Sequence, residues 1–167
     1  TLLGTTNRGN PFRLVETAPD GSKREVDRSL ELIAALRSHG IDALIAVGGD
    51  GSLAIANGLY EKGLRLVGVP KTIDNDLEAT VLTFGYNSAV SFATECIDRL
   101  HVTAQAHRRV IVVEVMGRYA GWIAMNAGIA GGADAILIPE IPYDLSRVAD
   151  HLRARNAAGR RYSIVAV

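Results

Sequence analysis

Apolar positions along the chain change their spacing several times, and each change marks an element. In residues 26–38, Val26, Leu30, Ile33 and Leu36 recur near the helical period and His39 and Gly40 end the run, so the pattern predicts a helix with a glycine stop. Residues 43–47 form a short continuous apolar run, the mark of a buried parallel strand. Residues 48–52 then turn the chain into a helix predicted over residues 53–62 and closed by Gly63, and residues 64–69 make the next strand. The following stretch, from Pro70 to about Phe84, is long and polar for a loop in a compact α/β domain, and loops of that length usually carry function.

Residues 86–105 return to helical spacing, with Val90, Phe92, Ala93, Ile97 and Leu100 on one face, a helix suited to carrying the chain between lobes. Strands are predicted at residues 110–115, 135–138 and 162–167, with helices at 120–130 and 145–158 between them. This alternation predicts an α/β fold with a mainly parallel sheet. Right-handed crossovers would set the strand C-termini along one edge, where ligands bind in open α/β sheets, so Asp50, residues 70–78 and residues 116–118 would share that edge. Residues 10–28 mix proline, glycine and charges and read as an exposed insert.

Composition narrows the partners. The 167 residues are 48% hydrophobic and 5% aromatic, enough for a sizeable core in one domain or two small ones. Eighteen basic and eighteen acidic residues cancel, so no overall charge recruits nucleic acid or an anionic membrane, and an anionic ligand must be held locally. The single Cys96 cannot form an internal disulfide and reads as a buried structural thiol in a reducing cytoplasm. No apolar run approaches the roughly 18 residues of a membrane span, and the N-terminus has no leader pattern, so a soluble protein is expected. A start at Thr1 without Met and an end inside the apolar run 163–167 predict a fragment.

The chemistry gathers after two of the predicted strands. Residues 69–83 crowd Asp74, Asp76, Glu78 and Lys71 behind an apolar strand, and Asp50 sits in the turn made by Gly48, Gly49, Asp50, Gly51 and Ser52. Three glycines let backbone N–H groups approach phosphate oxygens, a helix N-terminus adds partial positive charge, and Asp50 can hold Mg²⁺. The alternative is an ordinary glycine-rich turn with an Asp cap. The alternating acids of residues 72–76 suit a division of labour, one taking a hydroxyl proton and the other supporting a metal, although Asp and Asn also simply make turns. Read together, the two segments predict a phosphoryl-transfer site.

Arg118, after Met116 and Gly117, follows a predicted strand and would fork onto a phosphate or offset charge building on a transferring group; the alternative is a surface arginine near a helix start. His107, Arg108 and Arg109 form a basic cluster at the other end of that strand and read as solvated surface. The four histidines show no paired metal spacing, which with one cysteine excludes a zinc site, and the absence of G-x-S-x-G leaves a serine hydrolase without support.

Four segments in order, GGDGS at 48–52, PKTIDND at 70–76, EVMGRYAGW at 114–122 and AGGADAILIPE at 130–140, together resemble the 6-phosphofructokinase family across nearly the whole chain. The resemblance implies two Rossmann-like three-layer α/β/α lobes with mainly parallel sheets, with residues 1–85 belonging to the phosphate-donor lobe and 86–167 to the fructose 6-phosphate lobe. It implies that Asp74 takes the proton from the 1-hydroxyl of fructose 6-phosphate, that Thr72 sits beside the transferring group, and that Ile73 lines the substrate with them. Asp50 would bind Mg²⁺ assisted by Asp76; Gly49, Gly51, Ser52, Lys71 and Arg8 would line the donor site. Met116, Gly117 and Arg118 would form the substrate-side element. Arg109 would reach the sugar phosphate of a neighbouring subunit in a homotetramer or homodimer, which reverses its surface reading. Phosphoryl transfer needs mainly alignment and charge neutralisation, and a base, a metal and an arginine supply them.

The donor signature is mixed. In the family, ATP users have Gly at the position of Gly51, whereas pyrophosphate users typically carry Asp there and Lys at the position of Lys71. Gly51 leaves room for the α-phosphate of ATP and a flexible lysine can swing away, so ATP is the expected donor and pyrophosphate the alternative. The family's N-terminal glycine-rich loop and its later substrate-binding Glu, His and arginines have no match in the chain, so the piece alone is expected to be inactive. A non-catalytic regulatory or assembly subunit of the same fold would be expected to lose Asp50, Asp74 or Arg118, and all three remain.

Overall fold

The structure, a computed structural model, describes residues 9–167. The chain divides into two compact units, one up to Pro70 and one from Lys71.

The first unit opens with an antiparallel hairpin, β1 (Leu14–Thr17) and β2 (Lys23–Val26), in the stretch expected to be an irregular insert. Its residues are too charged to show apolar alternation. The pairing is instead fixed by a turn in which Asp20 accepts from the Ser22 N–H at 2.9 Å, and by Glu16, which faces Arg24 across the ladder and accepts from Arg28 Nε at 2.8 Å. Val26 therefore ends a strand, and α1 (Ser29–Ser38) begins three residues later than the periodicity suggests. Strand β3 (Ala43–Gly48), α2 (Asp50–Glu61) and β4 (Arg65–Thr72) complete a β-α-β succession, with β3 and β4 parallel from the Ala43–Arg65 pair to the Gly48–Pro70 pair. Helix α2 stops at Gly63, whose φ of +87° lets its N–H bond the Tyr60 carbonyl and the Leu64 N–H bond the Leu59 carbonyl. Leu59 and Leu64 are thereby delivered to the core with Ile33, against Phe12, Leu36, Leu44, Ile55 and Leu66.

Both helices lie over the β-sheet face that carries Leu44 and Leu66. The other face carries Ile45, Val47 and Val67, and among the described residues it is open: Ile45 is 74% exposed. The continuous apolar run of β3 is thus the sequence of a strand made for cover on two sides.

In the second unit Lys71 and Thr72 pair in parallel with β5 (Phe84–Gly85), which leads directly into the long helix α3 (Tyr86–His107). Strands β6 (Val110–Val113), β7 (Ala135–Ile136) and β8 (Ser163–Ala166) form a parallel sheet in the order β6-β8-β7, connected through α4 (Trp122–Ala130) and α5 (Leu145–Ala157). The α/β class with parallel sheets expected from the alternation is the one adopted. Strand β8 is central and buried throughout, and α3 and α4 pack on each other and over it. Small residues make that approach possible: a Cβ on Gly131 would lie 2.6 Å from Ile97 Cγ2, and Ala127 is fully buried. Because the strands are parallel, residues 114–118 leave β6 at its C-terminal end and Arg109 enters at the other.

Candidate active site

In the first unit the glycine-rich turn joins β3 to α2. Gly48 is required sterically, since a Cβ there would lie 2.5 Å from Ser52 Cβ. The helix starts at Asp50, three residues before the apolar pattern suggests, because Gly49 in extended conformation serves as N-cap and its carbonyl accepts from the Leu53 N–H at 2.9 Å. No side chain caps this end, so the alternative of an Asp cap at Asp50 is not the one adopted: Asp50 sits exposed in the first turn, and the terminal N–H groups remain available to an anion. Gly51 differs from Gly48. A Cβ there meets nothing within 4 Å, and a helix position that tolerates a side chain yet holds glycine gives up about 1 kcal/mol of helix propensity.

In the second unit β4 ends at Thr72 and the chain turns through Ile73, Asp74 and Asn75. The Asp74 N–H donates to Thr72 Oγ1 at 3.2 Å, and Asn75 adopts the left-handed conformation, φ +54°, which Asn tolerates better than most residues. One oxygen of Asp74, Oδ1, is buried with no hydrogen-bond partner, the one such side-chain atom among the described residues. Burial, and after it the negative charge of Asp76, raise the Asp74 carboxyl above the usual carboxylate range. A carboxylate with an unused, poorly solvated oxygen is a good proton acceptor for a hydroxyl brought to it. Beside it, Lys71, Thr72, Ile73, Phe84 and Gly85 line a hollow of about 300 Å³.

Past β6, Gly117 (φ +150°) and Arg118 (φ +53°) make a tight turn closed by the Ala120 N–H on the Gly117 carbonyl at 2.9 Å. A Cβ at Gly117 would sit 2.2 Å from the Ala120 oxygen, so the turn needs glycine. The Arg118 guanidinium lies over the Tyr119 ring, 4.7 Å from its centre, and makes no ion pair among the described residues, while Met116 is well exposed. Glu140 Oε1 accepts from the Gly121 N–H at 2.7 Å and fixes the start of α4. The Tyr86 hydroxyl reaches the Trp122 carbonyl at 3.4 Å and bonds Asn126 as well, tying the first residue of α3 to the first turn of α4.

Of the residues singled out in the sequence, the structure brings Thr72 to Asp74 and Asp74 into the field of Asp76, and puts Arg118 and Arg109 at opposite ends of β6. Arg8 lies outside the described residues. Among the described residues no three metal-type side chains converge. That is compatible with Mg²⁺, which keeps several waters and takes one or two carboxylates plus substrate phosphates, and the hard oxygens of Asp50 and Asp76 are the donor type it prefers. Thr83, Asn75 and Glu140 were not visible as site residues in the sequence, because what they do is bond backbone groups.

A family-wide sequence model described as Phosphofructokinase matches residues 1–167. The chain belongs to the phosphofructokinase family. It is 54% identical over 168 residues to "ATP-dependent 6-phosphofructokinase 1" of Synechocystis sp., covering all of this chain and 45% of that protein. It is 47% identical over 167 residues to "ATP-dependent 6-phosphofructokinase 2" of Clostridium perfringens, covering all of this chain and 46% of that protein. This phosphofructokinase chain thus spans slightly under half the length of these curated relatives. Among solved structures, the phosphofructokinase from Saccharomyces cerevisiae matches with a TM-score of 0.71 and 37% identity over 83% of this chain and 22% of its own. The pyrophosphate-dependent phosphofructokinase from Marinobacter aquaeolei matches with a TM-score of 0.73 and 29% identity over 89% of this chain and 41% of its own. The phosphofructokinase fold thus agrees with the parallel α/β architecture of the two units. No helix among the described residues is long and apolar enough to cross a membrane.

Proposed function

We propose that the protein carrying this chain transfers the γ-phosphoryl group of ATP to the 1-hydroxyl of fructose 6-phosphate, giving fructose 1,6-bisphosphate and ADP. The observation that carries the proposal is the Asp74 carboxylate, partly buried, with one oxygen unpartnered and its proton affinity raised, in a chain about half identical to proteins named for this reaction.

Asp74 takes the proton of the sugar 1-hydroxyl as that oxygen bonds the γ-phosphorus; the bond from the γ-phosphorus to the β–γ bridging oxygen breaks, ADP leaves with that electron pair, and Asp74 returns the proton to solvent. Thr72 is next to this event through its bond to the Asp74 N–H, and Ile73 borders the same hollow. Arg118 offsets charge on the transferring group, with Met116 and Gly117 shaping its turn. The unfilled N–H groups at the start of α2, with Gly49, Gly51 and Ser52, take donor phosphates, and Lys71 and Arg8 are assigned to the donor. Asp50, with help from Asp76, would hold Mg²⁺, which would neutralise phosphate charge when bound. Arg109 is assigned to the sugar phosphate of a neighbouring copy in a homo-oligomer, and residues 1–85 and 86–167 to the donor and sugar lobes.

Gly51 favours ATP because the space beyond it is open, and the relatives near half identity are named ATP-dependent. The test is an assay of the full protein with fructose 6-phosphate and Mg²⁺, comparing ATP with pyrophosphate. Turnover with ATP supports the proposal; turnover with pyrophosphate alone would give the donor choice to Lys71, and no sugar bisphosphate from either would end it.

A further inference from the structure

The Asp74 carboxylate has to be aimed, yet its buried oxygen bonds nothing, so its direction is set through its backbone. Two side chains hold that backbone. Thr83 is 5% exposed, and its hydroxyl donates to the Thr72 carbonyl at 2.8 Å, one peptide before Ile73. The Thr83 N–H donates to Asn75 Oδ1 at 2.9 Å, and Asn75 Nδ2 reaches the Val81 carbonyl at 3.4 Å. The two anchor points in the turn, Thr72 and Asn75, flank Asp74 with only Ile73 besides. The end of the long acidic loop is therefore stitched back onto its beginning on both sides of one carboxylate.

Asn75 can do this because it is left-handed, which points its short amide back toward the strand pair. Thr83 is fixed in turn by its place just ahead of β5, whose Phe84 and Gly85 are in register with Lys71 and Thr72. A buried hydroxyl whose hydrogen bond goes to the backbone of the reacting segment is a pre-organising group.

We infer that Thr83 and Asn75 are positioning residues that set the direction of the Asp74 carboxylate. The inference rests on reading Asp74 as the base. Its test uses the full protein with Thr83→Val, which keeps shape and burial but removes the hydroxyl; Thr83→Ser, which keeps the hydroxyl; and Asn75→Gly, which keeps the left-handed backbone but removes the amide. Expected are a fall in kcat for fructose 6-phosphate phosphorylation on the order of 10- to 100-fold in Thr83→Val and Asn75→Gly, with KM for the donor within about twofold of wild type, and recovery of most of the kcat in Thr83→Ser. Amide hydrogen exchange should show faster exchange at residues 74–82 in Thr83→Val, with α3 and β6 unchanged.

A Thr83→Val protein that melts earlier but keeps its kcat, or a Thr83→Ser protein that does not recover, overturns the inference, since either result leaves Thr83 a structural staple only. A wild-type protein that does not phosphorylate fructose 6-phosphate ends the proposed function instead and the positioning role with it. Unchanged exchange at residues 74–82 in Thr83→Val overturns the stitching itself, whatever the activity.

Discussion

Arg155 of α5 and Asp134, just ahead of β7, form an ion pair with side chains only 19% and 15% exposed, and the second Asp134 oxygen accepts from the Ile164 N–H of β8 at 2.9 Å. Arg155 also donates from Nε to Ser163 Oγ at 3.2 Å, so one charged pair joins a helix to the starts of two strands. Removing one partner of a shielded pair leaves the other charge uncompensated. Asp134→Ala should therefore cost on the order of 3 kcal/mol, read as a loss of thermal stability, while Asp134→Asn, which keeps one acceptor for Ile164, should cost less. Equal melting of Asp134→Ala and wild type would show that the pair is not what secures α5.

Asp74 gives a stability prediction opposite in sign to an ordinary paired carboxylate. Its carboxyl binds a proton more tightly folded than unfolded, so its ionisation costs stability; the cost is absent in acid and grows as pH rises through its raised folded value. Asp74→Asn should thus melt higher than wild type near neutral pH, with the advantage vanishing below the usual carboxylate range. The same variant should lose phosphoryl transfer by on the order of 100- to 10,000-fold. Thermal melts at two pH values check the first part, and an advantage that persists undiminished in acid would contradict it.

Asp27 behaves the other way. It accepts from Lys62 Nζ at 2.7 Å and from the Ser29 N–H at 2.9 Å, and the Lys62 bond, followed by those from Ser29, holds its carboxyl down to about 2. A depressed carboxyl contributes stability that is complete above its unfolded value and is lost as pH falls toward about 2. Acid titration of wild type against Asp27→Asn should show the two curves converging at the acid end and separated at neutral pH. Parallel curves throughout would remove the assignment.

Gly51→Asp should fold, because Gly51 has ordinary backbone angles and open space beyond it. The added carboxylate would stand at the end of α2 where donor phosphates are proposed to bind, so KM for ATP should rise on the order of tenfold. An unchanged KM in a steady-state assay would place the donor elsewhere.

Much of the fold is legible from apolar spacing because α1, α2, α4 and α5 are each followed within two residues by a glycine and the parallel strands are short apolar runs. Gly40 and Gly63 marked the ends of α1 and α2, and α3 and α5 were within about two residues of their predicted bounds. The hairpin β1–β2 was not legible, since LVET and KREV are held by a turn and by charges, which leave no period. For the site, chemistry-bearing side chains such as Asp74 and Arg118 stand out after strands. Thr83 does not: it is a lone hydroxyl in the apolar stretch Val81, Leu82, Thr83, Phe84, and its bond to a carbonyl eleven residues back is a tertiary fact.

The open side of β3 and β4 has a practical consequence for anyone handling this polypeptide alone. Ile45, Val47 and Val67 form an uncharged, oily strip on the β3–β4 strand pair, and with formal charge cancelling at pH 7 there is little repulsion to hold two copies apart. Purified by itself, the chain should scatter more light as it is concentrated, bind a hydrophobic dye, and stay dispersed only in dilute solution or with a mild detergent lying over those three side chains.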